Sequence, residues 1–290
     1  THQLTVNQRP LNATLSRQYD GTTTSAGSDL SSFDALQGGE TLTLSGSGTS
    51  ASANVANGIA MSSNGNLALV DGTGLASNYS LNSTVINITE RVLNSSGSKI
   101  YDANTDALAA DITLSNLVSG EALNHSGTAT ISSANAGSYT ITNLAGITIA
   151  DGSGGTASNY TLTGGTHNFT VNPKVVSIQG NKTYDGNTTI SSGDITSITD
   201  TVGAETLVIS SGSGTVSSAN AATYASAGIN EGTLTLGNGT NGGLASNYTL
   251  TGHAASSFQV AQRVLSSSGS RIYDGSTTAS SSDLTLSNLV

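Results

Sequence analysis

Apolar and hydroxyl-bearing residues alternate along much of the chain, as in Thr41-Leu42-Thr43-Leu44, Tyr139-Thr140-Ile141-Thr142 and Leu234-Thr235-Leu236. A period of two, filled with Thr and branched aliphatic residues, turns one row of side chains to a core and the other to water, the pattern of half-buried antiparallel strands. Gly, Asn and Asp punctuate these runs, notably at Asp71-Gly72 and Asp151-Gly152, and supply the turns. The best helical period lies at Leu30 to Leu36, where apolar residues at 30, 33 and 36 predict about two turns.

The alternation is itself repeated. Lys182-Thr183-Tyr184-Asp185-Gly186 returns as Arg17-Gln18-Tyr19-Asp20-Gly21, Lys99-Ile100-Tyr101-Asp102-Ala103 and Arg271-Ile272-Tyr273-Asp274-Gly275, with tyrosines 82, 83 and 89 residues apart. Ten residues before each of these tyrosines stands a basic residue: Arg9, Arg91, Lys174 and Arg263. Nine residues after each first Asp comes a second: Asp29, Asp111, Asp194 and Asp283. A glutamate follows at Glu40, Glu121 and Glu205, then a Ser-Ala-Asn turn at Asn54, Asn135 and Asn220, and then Ser-Asn-Tyr at Tyr79, Tyr160 and Tyr248.

A period of this size is a small domain rather than a solenoid turn, and the stacked ladders of a parallel β-helix are not visible. The repeat predicts the tail of a preceding module at 1–8, modules at 9–90, 91–173 and 174–262, and a partial fourth at 263–290. Both ends of the sequence fall inside modules, so it reads as a window on a longer array whose export signal and attachment device lie elsewhere. The expected fold is all-β: tandem small β-sandwich or β-grasp-like modules, each of six or seven short strands, autonomous and arranged as an elongated rod.

Composition narrows the function. Only 9% of residues are charged and the net charge is -10, with eight scattered basic residues, which argues against nucleic acid or an anionic membrane as partner. No apolar run is long enough to span a bilayer as a helix, so no membrane insertion is expected in this segment. The absence of cysteine removes disulfides and thiolate metal sites.

Candidate chemistry is sparse. The tyrosines at Tyr19, Tyr101, Tyr184, Tyr273, Tyr79, Tyr160 and Tyr248 recur at fixed module positions, as expected of core rings whose hydroxyls tie loops; a stacking platform for glycans is the alternative. The paired aspartates, Asp20 and Asp29, Asp102 and Asp111, Asp185 and Asp194, form turns on the plainer reading and hold calcium on the sharper one. No cofactor is expected on the plainer reading, and calcium on the sharper one. His2, His125, His167 and His253 show no fixed spacing to Ser or Asp, so no triad or histidine metal site is expected and the chain is not read as an enzyme. Asn78, Asn159 and Asn247 stand in glycosylation triplets, which this composition also produces by chance.

Lys-x-Tyr-Asp-Gly-x-Thr-Thr at 182–189, followed by Gly/Ala-Glu-x-Leu, Ser-Asn-Tyr-Thr-Leu at 246–250 and Phe-x-Val-x-x-Arg at 258–263, resembles the YDG-type repeat of bacterial haemagglutinin-like adhesins and the related MBG repeats. The resemblance implies a structural stalk of a large protein exported by two-partner secretion, at the bacterial surface or in the biofilm matrix. Its partners would be the neighbouring modules of the same chain. The alternatives are a self-associating filament, paired with like chains through strand edges, and a module that binds calcium or matrix polysaccharide.

Overall fold

The computed structural model describes residues 2–290. Its chain packs as two compact units, one made of residues through Gly97 with 106–132 and 140–169, the other of 98–105, 133–139 and 170–290. The architecture is all-β, and helical structure among the described residues is confined to three-residue 3-10 turns.

In the first unit, residues 9–89 show the module plan. Strands β1 (Arg9–Gln18), β2 (Thr24–Ala26), β3 (Leu30–Phe33), β4 (Leu42–Ser45), β5 (Ser47–Ser50), β6 (Ala56–Ser63), β7 (Ala68–Asp71) and β8 (Tyr79–Thr89) follow in order. Six of them form one sheet, ordered β2-β5-β6-β8-β1-β3, and β4 pairs with β7 as a separate two-stranded leaf. The first and last strands lie side by side and parallel, from Arg9 opposite Tyr79 to Gln18 opposite Thr89. This central parallel pair is a grasp-like trait. All other pairings in the module are antiparallel.

Packing follows the alternation. Leu11, Ala13 and Leu15 on β1 are buried, as are Leu42 and Leu44 on the leaf, with the intervening Thr exposed on β4. The leaf therefore folds over the sheet as the second layer of a small sandwich. β4 and β5 are two halves of one strand bent at Gly46 (φ +79°), and the bends at Gly127 (φ +101°) and Gly212 (φ +90°) are its counterparts. At these bends a side chain has no room: a Cβ on Gly127 would lie 1.9 Å from the Gly146 carbonyl oxygen, and one on Gly212 1.9 Å from that of Thr233. Glycine is what lets one strand serve both layers.

No helix forms at Leu30 to Leu36, the best helical candidate in the sequence: Leu30–Phe33 is strand β3, and 34–36 follow it as an irregular bend. β3 pairs with β1, placing Phe33 opposite Ala13, Ser32 opposite Thr14 and Leu30 opposite Leu15, with Ser31 skipped by a bulge. The bulge returns residues three apart to the same face, which imitates a helical spacing.

The second unit repeats the plan over residues 174–261. Ser177–Thr183 pairs in parallel with Ser257–Ala261 and antiparallel with Ile195–Thr199, and Leu207–Ser211 pairs with Thr235–Asn238 as the leaf. Lys174 and Val175 lie parallel to Tyr248 and Thr249, as Arg91 and Val92 lie parallel to Tyr160 and Thr161 in the first unit.

Packing is not closed at residue 90. One apolar cluster in the first unit joins Leu15, Tyr19, Ile86 and Ile88 to Leu93 and Tyr160, with Leu117, Val118 and Leu162 against it. Adjacent modules thus share an apolar joint rather than each enclosing a separate core, which qualifies the expectation of autonomous units.

Candidate functional site

The recurring residues converge at these joints. Asp71, Asp151 and Asn238 each accept a hydrogen bond from the first amide of the 3-10 turn that follows, at 2.6, 2.7 and 2.8 Å from Ala76, Ala157 and Ala245. Those turns, Ala76–Asn78, Ala157–Asn159 and Ala245–Asn247, present Asn and then Tyr at a fixed angle.

At the first joint, Tyr19 from one module and Tyr160 from the next both donate to Glu121, at 2.6 Å to Oε1 and 2.7 Å to Oε2. Their rings meet edge to face, 5.4 Å apart and at 78°. The Tyr160 hydroxyl also accepts the Val118 amide at 3.1 Å. A second clasp flanks the first: Asn159, only 1% exposed, accepts the Val55 amide at 2.9 Å and donates to Asn54 at 3.0 Å. Arg91 closes the edge by donating to the Asn116 carbonyl at 2.6 Å and to the Tyr19 carbonyl at 3.4 Å.

The joint in the second unit is built the same way. Tyr101 and Tyr248 donate to the two oxygens of Glu205 at 2.7 and 2.6 Å, with rings 5.3 Å apart and again at 78°. Asn247, fully buried, accepts the Ala136 amide at 2.8 Å and donates to Asn135 at 3.0 Å. A half-buried carboxylate holding two phenols gives both buried tyrosine hydroxyls an acceptor. It also fixes direction and distance between modules, because edge-to-face rings tolerate little sliding.

Burial first, and then the bond to glutamate, pushes the Tyr101 and Tyr160 hydroxyls up to about 12, and Tyr19 and Tyr248 are raised by the same two causes. The neutral phenol is the form the joint holds. Its stabilisation is complete below the ordinary tyrosine value of about 10 and is lost as pH climbs through the raised folded values. A tyrosinate absorbance titration should therefore show a late-ionising class, with denaturant resistance falling between about pH 10 and 12. A joint insensitive to that range would contradict the geometry.

The Tyr-Asp-Gly loop has a different task. Lys182 points inward, its side chain 6% exposed, and its ammonium donates to Asp185, to the Asn187 carbonyl and side chain, and to the Thr189 carbonyl, all at 2.8–3.0 Å. Lys99 is held by Asp102 and Asn104, and Arg17 by Asp20 and the Thr22 carbonyl. The loop is a cage of oxygens around the protein's own cation. Lys182 holds Asp185 below the usual carboxylate range. At Asp20 burial pushes upward but is outweighed by the Thr22 amide and hydroxyl and by Arg17.

These contacts occupy the calcium candidates. Asp20, Asp102 and Asp185 bond the amide two residues on as well as the basic residue. Asp29 and Asp194 accept the amide three residues back, and Asp111 ends the equivalent 3-10 turn. Among the described residues no three His, Asp or Glu side chains gather as for a metal.

The glycine after Tyr-Asp is left-handed at Gly21, Gly186 and Gly275, and Ala103 adopts the same conformation at φ +64°. That conformation costs a residue with a Cβ about 1 kcal/mol.

Tyr184 and Tyr273 carry no such partners. Tyr184 is half-buried beside Arg263 and Val290, and Tyr273 is exposed. Of the glycosylation candidates, Asn159 and Asn247 are inaccessible because they build the clasp, whereas Asn78 is exposed. Ser95 and His167 meet at 2.9 Å, yet the other imidazole nitrogen goes to the Leu162 carbonyl and both residues are buried, so the pair closes a turn.

The tyrosines, the glutamate and both asparagine turns stand out in the sequence, but their meeting does not. The signal was available in their common period: residues repeating in step 102 to 105 positions apart contact across the border rather than within a module.

The model of the YDG domain matches twice, over residues 3–86 and 89–168, together more than half of the chain. No curated protein and no solved structure matches. The chain therefore holds two YDG domains in tandem and belongs to the YDG domain family, and the joint recurs between Tyr101 of the second match and Glu205 and Tyr248 beyond it.

Proposed function

We propose that this chain is a structural spacer, the stalk region of a large secreted bacterial adhesin that holds a distal binding region away from the cell surface or out in the biofilm matrix. The observation that carries this reading is the parallel pairing of the first and last strands of a module. A chain that enters beside Tyr79 and leaves beside Gln18 exits at the end opposite its start, ten residues further along the strand. At about 3.3 Å per residue each module advances the chain by about 33 Å. The Tyr-Glu-Tyr and Asn-Asn contacts then fix the next module with no flexible linker between them. The resemblance to haemagglutinin-like repeats supports the adhesin setting.

Small-angle scattering on arrays of increasing module number tests it. The maximum dimension should grow linearly, by about 33 Å per module. Growth with the square root of module number would mean beads on a flexible string and would remove the spacer reading.

A further inference from the structure

This chain has no cysteine, no tryptophan and one methionine against nine tyrosines. The sulfur side chains that otherwise take up oxidant are nearly absent, so the phenols are its main sink for one-electron oxidation. Among the described residues, aromatic rings meet in two pairs, Tyr19 with Tyr160 and Tyr101 with Tyr248, at 5.4 and 5.3 Å between centroids. Each pair takes one ring from each of two adjoining modules. Both hydroxyls of a pair lie on the two oxygens of one glutamate, Glu121 or Glu205. The phenolic ends of the rings, with the carbons ortho to the hydroxyls, are thereby gathered at one carboxylate. Tyr139 and Tyr224 differ: each donates to a backbone carbonyl and has no ring against it.

We propose that the two pairs are sites of oxidative cross-linking, each forming one dityrosine bond that rivets neighbouring modules covalently. Each phenol loses an electron to an oxidant of the haem-peroxidase class and its proton to the glutamate. The carboxylate is half-buried, so it passes each proton on to water. The two phenoxyl radicals couple through one ortho carbon of each ring, and the hydrogens on those carbons move to the oxygens, which restores both phenols. Two electrons and two protons have then left, and one hydrogen peroxide takes them up to become two water molecules.

Burial does not block this chemistry. The four rings are at most 5% exposed, yet an electron can leave across a few ångströms of protein, and the coupling partner is already in contact. No reagent has to enter the joint. The same burial keeps other chains away from the radicals, which favours the bond within the pair.

Hydrogen peroxide and a haem peroxidase, applied to the full chain at high dilution, test the proposal. Proteolysis and mass spectrometry should recover peptides joined through Tyr19 and Tyr160 and through Tyr101 and Tyr248, from a monomer lighter by about 4 Da, two hydrogens for each bond. This map needs no variant. Tyr19→Phe should abolish the first cross-link and leave the second, so each joint is a control for the other. Glu121→Gln keeps an acceptor but is no base, and the yield at Tyr19 and Tyr160 should fall at least about tenfold relative to Tyr101 and Tyr248. In urea, which disperses the rings, the two pairings should lose their preference over all others. Dityrosine formed only between chains, pairings no more frequent in the folded chain than in urea, a yield indifferent to Glu121→Gln, or no cross-link at all would each overturn the proposal.

Discussion

Replacing Glu121 by alanine should lower the stability of the chain by about 3 kcal/mol, measured by urea unfolding, because one carboxylate serves two buried hydroxyls. Tyr19 and Tyr160 come from different modules and have the two oxygens of that side chain to themselves. Without it the Tyr19 hydroxyl has no acceptor, and Tyr160 keeps only the Val118 amide, which is a donor to it. Glu121→Gln keeps the shape and one acceptor, so about 1–2 kcal/mol is expected. Glu40→Ala is the internal comparison, since Glu40 holds Tyr79 but no second tyrosine. An equal effect of Glu121→Ala and Glu40→Ala would mean that the bridge between modules contributes nothing.

Gly127→Ala should lose about 3 kcal/mol or more, the larger part from collision rather than backbone preference. At φ +101° the added methyl would sit 1.9 Å from the Gly146 oxygen, a backbone atom that cannot step aside without detaching the leaf. Gly120→Ala separates the two causes. It has φ +85° with open space around it, so only the left-handed strain of about 1 kcal/mol should appear. If both substitutions had the same effect in urea unfolding, the bent strand would not be the element that ties leaf to sheet.

Much of the fold was legible because period-two alternation is a direct record of which face is wet. Thr43 between Leu42 and Leu44 is such a record, and the structure follows it. The Leu30 to Leu36 segment misled because a bulge at Ser31 restores a shared face after three residues, and bulges leave no mark in hydrophobic spacing. The joint was half legible. Tyr19, Glu121 and Tyr160 all stand out by recurrence, yet recurrence does not say whether a residue's mate lies in its own module or the next. The cages around Arg17, Lys99 and Lys182 were hidden for another reason. A basic residue three before an aspartate looks like a surface pair, and only the folded loop draws the carbonyls of residues such as Thr189 inward.

The side-by-side parallel course of β1 and β8 decides how a module answers tension. Pulled from its two connections, β1 is drawn one way and β8 the other along their shared length, so the hydrogen bonds of the whole ladder are loaded together in shear instead of peeling singly from one end. Such a clamp resists a pull along the chain, and the second unit carries its counterpart in the parallel pairing of Ser177–Thr183 with Ser257–Ala261.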